Sequence, residues 1–290
     1  VEITRETLLL LISTPIYLLV IGAEILLSNY FRYKHYTFKG TLENIYLMLL
    51  NMGLDVLMLG VTLFVLNYFY QYHIMQIENI YLYWIGLLIL EDFLFYVLHY
   101  VDHYCRLFWA IHVTHHSSQE FNLTVGFRSS VFQPLYRFIY FIPLSLLGFK
   151  SMDIMFMYSA TQIYGILIHT QMVGKLGVLE YFLATPSNHR VHHGSNVKYL
   201  DKNMGMVFII WDRIFGTYQP EEEAVTYGLT ENIKSHQPKD VIFHEWISMW
   251  KDVKRAPTFK DKLMYIFGPP GWSHDGSKKT SRQLRVGLKK

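Results

Sequence analysis

Five apolar runs, each about 20 residues long, constrain this chain before anything else does. They are Leu8–Leu27, Ile45–Phe69, Ile80–Tyr100, Val131–Phe149 and Met152–Val173. A backbone in hydrocarbon has no water to bond, so each run must satisfy its own N–H and C=O groups as a helix. Only Gly148, Phe149, Lys150 and Ser151 join the last two runs, which predicts a helical hairpin. Composition agrees: charged residues make up 17% and hydrophobic residues 51%, against about a quarter charged in soluble domains. Disorder and an ordinary cytosolic enzyme are excluded. The expected fold is an all-α integral membrane protein with about four to five transmembrane helices and a cytoplasmic histidine-rich cap. Three regions follow: N-terminal transmembrane helices over 1–79, a histidine-rich domain over 80–220, and a cytoplasmic tail over 221–290.

Loop charge orients the spans. The first loop carries Arg32, Lys34 and Lys39, whereas Tyr70 to Asn79 carries no Lys or Arg. Residues 173–290 hold 18 Lys/Arg against 12 Asp/Glu, and residues 1–172 hold 8 against 11. The first loop, residues 101–130 and the tail should therefore share the cytoplasmic side. The second loop and the Lys150 turn should face the other. After Gly174 the apolar runs shorten, and the rest reads as a soluble tail. Its basic end, Lys278–Lys290, reads as a solvated tail or one lying on anionic lipid. The net charge of +3 is too small to suggest nucleic acid. The single cysteine, Cys105, excludes an intrachain disulfide and any Cys-ligated zinc or iron–sulfur site.

Fourteen histidines are present, and nine fall in four places. His99 and His103 are four apart at the end of the third span. His112, His115 and His116 form H-x-x-H-H, and His189, His192 and His193 repeat it. His169 lies near the end of the fifth span. Offsets of three and four share one helical face. The orientation derived from loop charge brings all nine to one membrane mouth. Imidazole is the commonest side-chain metal ligand. One ion takes roughly four to six ligands, so nine histidines suggest two ions. A lone pair such as His99/His103 could simply bond at a helix end, and His169 could serve as an outer donor. Two H-x-x-H-H boxes favour metal. His35, His73, His236, His244 and His274 fit no box and read as surface or packing residues.

The series H-x3-H, H-x2-H-H, H-x2-H-H resembles the fatty acid hydroxylase/sterol desaturase superfamily of membrane non-haem di-iron oxygenases. Within it, EDFLFYVLHYVDH, WAIHVTHHSSQEFNLTVGFRSS, IHTQ, TPSNHRVHHG, DKN, IIWDRIFGTY, YGLT and GPPGW are most similar to the ether-lipid-cleaving alkylglycerol monooxygenase subgroup. The resemblance implies that His99, His103, His112, His115, His116, His169, His189, His192 and His193 hold two Fe ions. It implies O2 as co-substrate and oxidation of an unactivated lipid C–H bond. In that subgroup tetrahydrobiopterin is the reductant. Tyr104, Gln171 and Asn188 depart from the subgroup's pattern; they leave the boxes intact and bear on the pterin and the ether substrate.

Oxidation at a carbon next to an ether oxygen gives a hemiacetal, which collapses to an aldehyde and a free hydroxyl. Oxidation of a sterol, fatty acyl, sphingoid or carotenoid chain is the alternative. No G-x-G-x-x-G follows a predicted strand and no cytochrome-type signature is evident, so the reductant is external, a pterin or a redox protein. Outer residues should orient the imidazoles. Asp92 lies seven residues before His99 on the same face, with Asp102 next and Asp201 after the last box. Asp92 could instead pair with Arg128 or another buried group. Asn122 and Arg128 match the family pattern and could position the second box or a substrate headgroup; Asn122 could instead cap a loop. Trp211, Tyr218, Trp246, Trp250 and Trp272 could form a flat pocket or act as core and interfacial anchors. The lipid chain should enter between helices carrying Phe93, Phe95, Tyr96 and Phe132. A metal-ion transporter would need ionisable residues along a membrane path, and Glu24, Asp55 and Asp92 are isolated in sequence. A catalytically silent scaffold is the third class.

Overall fold

The computed structural model describes residues 5–235 and 237–288, so His236, Lys289 and Lys290 lie outside the described residues. Three long helices come first: α1 (Arg5–Tyr30), α2 (Phe38–Tyr70) and α3 (Ile80–Tyr104). All three contain stretches long and apolar enough to cross a membrane. The entry to α2 is set by Thr37, whose side chain accepts from Gly40 N at 3.0 Å. Asn79 caps α3 in the same way, accepting from Tyr81 N and Leu82 N. Such caps satisfy donors that no helical carbonyl can reach.

The fourth and fifth apolar runs fold as a hairpin of shorter helices, α5 (Arg137–Leu146) and α6 (Ser151–Leu167), preceded by α4 (Arg106–His116). Their 10 and 17 residues reach about 15 and 25 Å, short of the roughly 30 Å hydrocarbon core. The shortening has a local cause. Before Arg137 the chain makes a 3-10 turn, Gln133–Leu135, containing Pro134. Gln133 and Tyr136 there donate to Asp102 at 2.9 and 2.6 Å, a use for polar side chains that a lipid-facing helix would not offer. The hairpin turns at Gly148, whose φ is +98°. A Cβ there would meet Met75 O at 2.2 Å, so the turn needs glycine to seat against the α2–α3 loop. Leu66, Leu87, Phe95, Phe141, Leu144, Phe149, Ile154 and Met157 form one core shared by α2, α3, α5 and α6.

The bundle has two ends. At one, the α2–α3 loop bonds the hairpin turn through Ile74 N to Leu146 O at 2.9 Å, and Arg5 pairs with Asp153 at 2.9 Å. At the other, Asn122 donates to His35 O at 2.6 Å, and Thr37 N bonds Glu120. The grouping of loops expected from charge is therefore present. The acidic residues of the spans have partners: Asp55 pairs with Arg137, and Glu24 accepts from Tyr36, Leu123 N and Thr170.

Beyond α6 come α7 (Pro186–His192), α8 (Ile210–Phe215), α9 (Pro238–Arg255), α10 (Phe259–Phe267) and α11 (Ser281–Gly287). Buried Arg106 clamps α9 onto α4, bonding Glu245 and Asp252 at 2.7 Å each. The described part of the basic end carries a helix: α11 opens with a capping box of Thr280 and Gln283, and Lys278 pairs with Asp252 at 2.6 Å. Its local caps and this pairing hold a segment that composition alone reads as a solvated tail.

Candidate metal centre

All nine box histidines meet at one end of the bundle, in two groups. His99, His103, His112, His116 and His192 form one; His115, His169, His189 and His193 form the other. Within each group every ligand atom lies within 4.8 Å of the rest. The α3 pair stays together because residues four apart stack on one helical face. Each H-x-x-H-H box is divided between the groups. On α4, His112 and His116 serve the first and His115 the second; on α7, His192 serves the first while His189 and His193 serve the second. Nearest neighbours across the divide are close, with His116 and His193 ring centroids 4.5 Å apart.

The outer nitrogens decide what the inner ones can do. Nδ1 of His99 donates to Met204 O at 2.8 Å, His115 to Arg128 O at 2.7 Å, His169 to Gly165 O at 2.7 Å and His192 to Lys202 O at 3.0 Å. His112 Nδ1 meets Ser130 Oγ at 2.9 Å, and His103 Nδ1 meets Asp201 at 3.3 Å. A carbonyl acceptor fixes the proton on Nδ1 and leaves Nε2 with a lone pair. Those lone pairs converge. His99 and His112 Nε2 are 3.0 Å apart, His112 and His116 3.1 Å, His169 and His189 2.9 Å, His169 and His193 3.2 Å. Nε2 of His103 and of His192 is buried with no hydrogen-bond partner.

Facing lone pairs repel unless a cation lies between them. Ligands at right angles on an ion at about 2.1 Å sit about 3 Å apart, as these atoms do. Burial also pushes the imidazole pKa of His112, His116, His169, His189, His192 and His193 well below the usual value, and that of His115 down to about 4. The rings are therefore neutral, the form that binds metal. The donor set fits a pair of borderline cations such as iron, held wholly by nitrogen.

The residues expected to support the boxes act one layer out. Asp92 touches neither Arg128 nor a box histidine. It accepts from Val207 N, Phe208 N and Trp211 Nε1 at 2.7, 3.1 and 2.9 Å, anchoring the loop that carries Met204. Arg128 is buried and spends its guanidinium on Thr114 O, Asn44, Glu43 and Ser117, while its own carbonyl holds His115. Asn122 caps the 3-10 turn Leu123–Phe127 through Thr124 N at 3.0 Å. Asp102 bonds Gln133 and Tyr136 and stands 3.9 Å from His112 Nδ1, and Asp201 faces His103.

Three further groups escaped sequence reasoning. Asp212, at the DRIFGTY stretch, receives Met204 N, Gly205 N and Thr217 at 2.7, 2.8 and 2.6 Å. Ser130 supports His112. Trp109 lies 5.2 Å from His103 and 5.6 Å from His116 between ring centroids, and Phe121 stacks on His169 at 5.5 Å. Of the tail aromatics, Trp211 packs on Phe93, Tyr218 under Arg213, Trp246 on Phe132 and Trp272 on Tyr265, so they are scattered anchors. A cavity of about 690 Å³ reaches the histidines from the tail side, lined by Trp109, His116, His192, Asp201 and Lys278 among others. His35, His73, His244 and His274 stay outside both groups.

Comparison with known proteins agrees with this geometry. Residues 84–217 match the family model described as fatty acid hydroxylase. That stretch contains every box histidine and all of the supporting groups named above except Asn44 and Glu43. Alkylglycerol monooxygenase of Homo sapiens is 41% identical over 189 residues, covering 65% of this chain and 42% of the relative. The Danio rerio protein of that name is 39% identical over 185 residues, covering 63% and 41%. An ornithine lipid hydroxylase of Rhizobium tropici is 27% identical over 149 residues, covering 50% and 45%. The chain thus spans less than half the length of these relatives. No solved structure matches the chain.

Proposed function

We propose that the chain is a membrane di-iron monooxygenase that uses O2 to oxidise a lipid C–H bond, with an alkylglycerol ether as substrate. The observation that carries this reading is the convergence of nine imidazoles into a five-ligand and a four-ligand group inside a stretch about 40% identical to alkylglycerol monooxygenases. Two irons would be held by these groups and would supply the oxidising power that a C–H bond without an acidic proton demands.

The chain's residues supply the rest. Carbonyls of Arg128, Gly165, Lys202 and Met204 hold the Nδ1 protons and aim the Nε2 atoms. Phe95 packs edge-on to His99 at 5.6 Å and marks the apolar approach from α3. Large residues introduced there should shift chain-length preference. Trp109 and the cavity of mixed lining mark a second approach on the other flank, suited to a small reductant such as tetrahydrobiopterin. Attack at the carbon beside the ether oxygen consumes O2, two electrons and two protons and releases water; the hemiacetal then collapses without further catalysis. The box end of the bundle faces the cytoplasm in this reading, following the basic first loop and tail.

The test is aldehyde formation from an alkylglycerol by iron-loaded protein in lipid discs, with and without tetrahydrobiopterin. Pterin-dependent aldehyde that disappears in His115→Ala is expected. Absence of aldehyde with two irons bound per chain would sink the ether assignment and turn attention to acyl, sterol, sphingoid or carotenoid chains with a protein donor.

A further inference from the structure

The segment between His169 and α7 exposes a run of large apolar side chains. Residues 173–182 expose Val178 (72%), Leu179, Tyr181 and Phe182 (55%), and the end of α8 adds Ile214 (62%) and Phe215. These side chains form one face. Ile209 N bonds Phe182 O at 3.0 Å, Arg213 donates to Glu180 O at 3.1 Å, and Arg213 lies over the Tyr181 ring at 5.0 Å. A water-facing loop rarely gathers so much apolar surface.

The face continues the membrane surface of α3. Phe215 stacks on Tyr96 at 5.5 Å and on Phe93 at 6.1 Å between centroids. At 1.5 Å per residue, Phe93 and Tyr96 stand about 20 and 24 Å along α3 from Ile80, inside a hydrocarbon layer of about 30 Å. Phe215 is therefore held at a depth where lipid is still present. Charge supports the same occupant. Glu180 is turned inward, accepting from Leu176 N at 2.9 Å and Ser187 at 2.5 Å. Lys175 and Arg213 remain exposed at the rim, where they would meet anionic headgroups.

We propose that residues 173–182 and 214–215 form an interfacial anchor that lies in the headgroup and acyl boundary of the leaflet nearest the histidines. It fixes how deep the metal centre sits, because the anchor begins four residues after His169 and its 180–183 stretch leads into α7. The occupant is the bilayer surface, with Lys175 and Arg213 favouring anionic lipid. The inference rests on α1–α3 as membrane spans and not on the substrate.

The test uses a Cys105→Ser background carrying a nitroxide label at Val178→Cys, Ile214→Cys or, as a water-facing control, Glu222→Cys, in discs containing anionic phospholipid. Labels at 178 and 214 should show about tenfold higher oxygen-to-nickel-chelate relaxation ratios than the label at 222, as burial in the interface dictates. Ratios at 178 and 214 equal to that at 222 would overturn the anchor and leave the face for a protein partner. A second variant, Val178→Asp with Phe182→Asp, should keep its iron content and raise the KM for disc-borne lipid about tenfold with little change in kcat. An unchanged KM would count against the depth-setting role. None of the label measurements reads turnover, so they stand whether or not the alkylglycerol assignment holds.

Discussion

At the scale of single residues, the chemistry depends on where Nδ1 protons go. Ser130 and Asp201 are the side chains that hold Nδ1 of His112 and His103, at 2.9 and 3.3 Å. Ser130→Ala leaves that nitrogen without its partner and lets the ring flip or tautomerise. Iron affinity should fall 10–100-fold, at a folding cost of about 1 kcal/mol. Metal titration of the purified variant checks this, and wild-type affinity would mean that packing alone orients His112. Asp201→Asn should act on His103 alike, and wild-type affinity in that variant would show the carboxylate to be dispensable. The nine imidazoles were legible in sequence because ligands must be histidines at helical spacing. Their supports were not, since any residue can offer a carbonyl, and Met204, Lys202, Arg128 and Gly165 carry no signature of that use.

At the scale of elements, the loop from Lys202 to Phe208 holds the first histidine group together. Its Lys202 and Met204 carbonyls fix His192 and His99, and it is fixed in turn by Asp92 on α3 and Asp212 on α8. Asp212→Ala strands the N–H groups of Met204 and Gly205, each costing about 1–3 kcal/mol when buried. The five-histidine group should then fail first. Elemental analysis should find about one iron per chain in place of two, with the four-histidine group still loaded. Loss of both irons together would show that the groups assemble as one unit. The sequence left Asp92 open between orienting an imidazole and pairing with another buried group, and its carboxylate accepts from Val207 N, Phe208 N and Trp211. Helical spacing predicts which side a residue faces, not whether a loop from 115 residues away arrives first. The shortening of the fourth span was hidden for a similar reason, because hydropathy reads Val131–Phe149 as continuous while Pro134 sits in a 3-10 turn and Gln133 and Tyr136 are committed to Asp102.

At the scale of the whole molecule, burying so many imidazoles couples stability to acid and to metal. Their folded pKa values lie below the unfolded value near 6.5, with His115 down at about 4. The unfolded chain therefore binds more protons, and stability falls as pH drops from about 7 toward 4. Metal-free protein in discs should lose thermal midpoint steeply across that window. Loading iron at pH 7 should raise the midpoint by several degrees, since binding to the folded state alone is stabilising. A midpoint indifferent to both would contradict the neutral, convergent cage. Arg106, tied to Glu245 and Asp252, makes the tail part of this unit, and Arg106→Ala should destabilise by about 2–3 kcal/mol, since Glu245 loses its partner while Asp252 keeps Lys278. An unfolding midpoint within a degree of wild type would show that α9 needs no such clamp.

The ligand groups consist of imidazole alone, while the carboxylates of Asp102, Asp201 and Asp212 stand behind them. Imidazole carries no formal negative charge, so these ligands would leave the charge of a metal pair held there largely uncompensated. Such an environment favours the lower oxidation state, just as exchanging thiolate for imidazole raises the potential of iron–sulfur centres. On the function proposed above, a mild, weakly reducing electron donor would be enough to prime the centre.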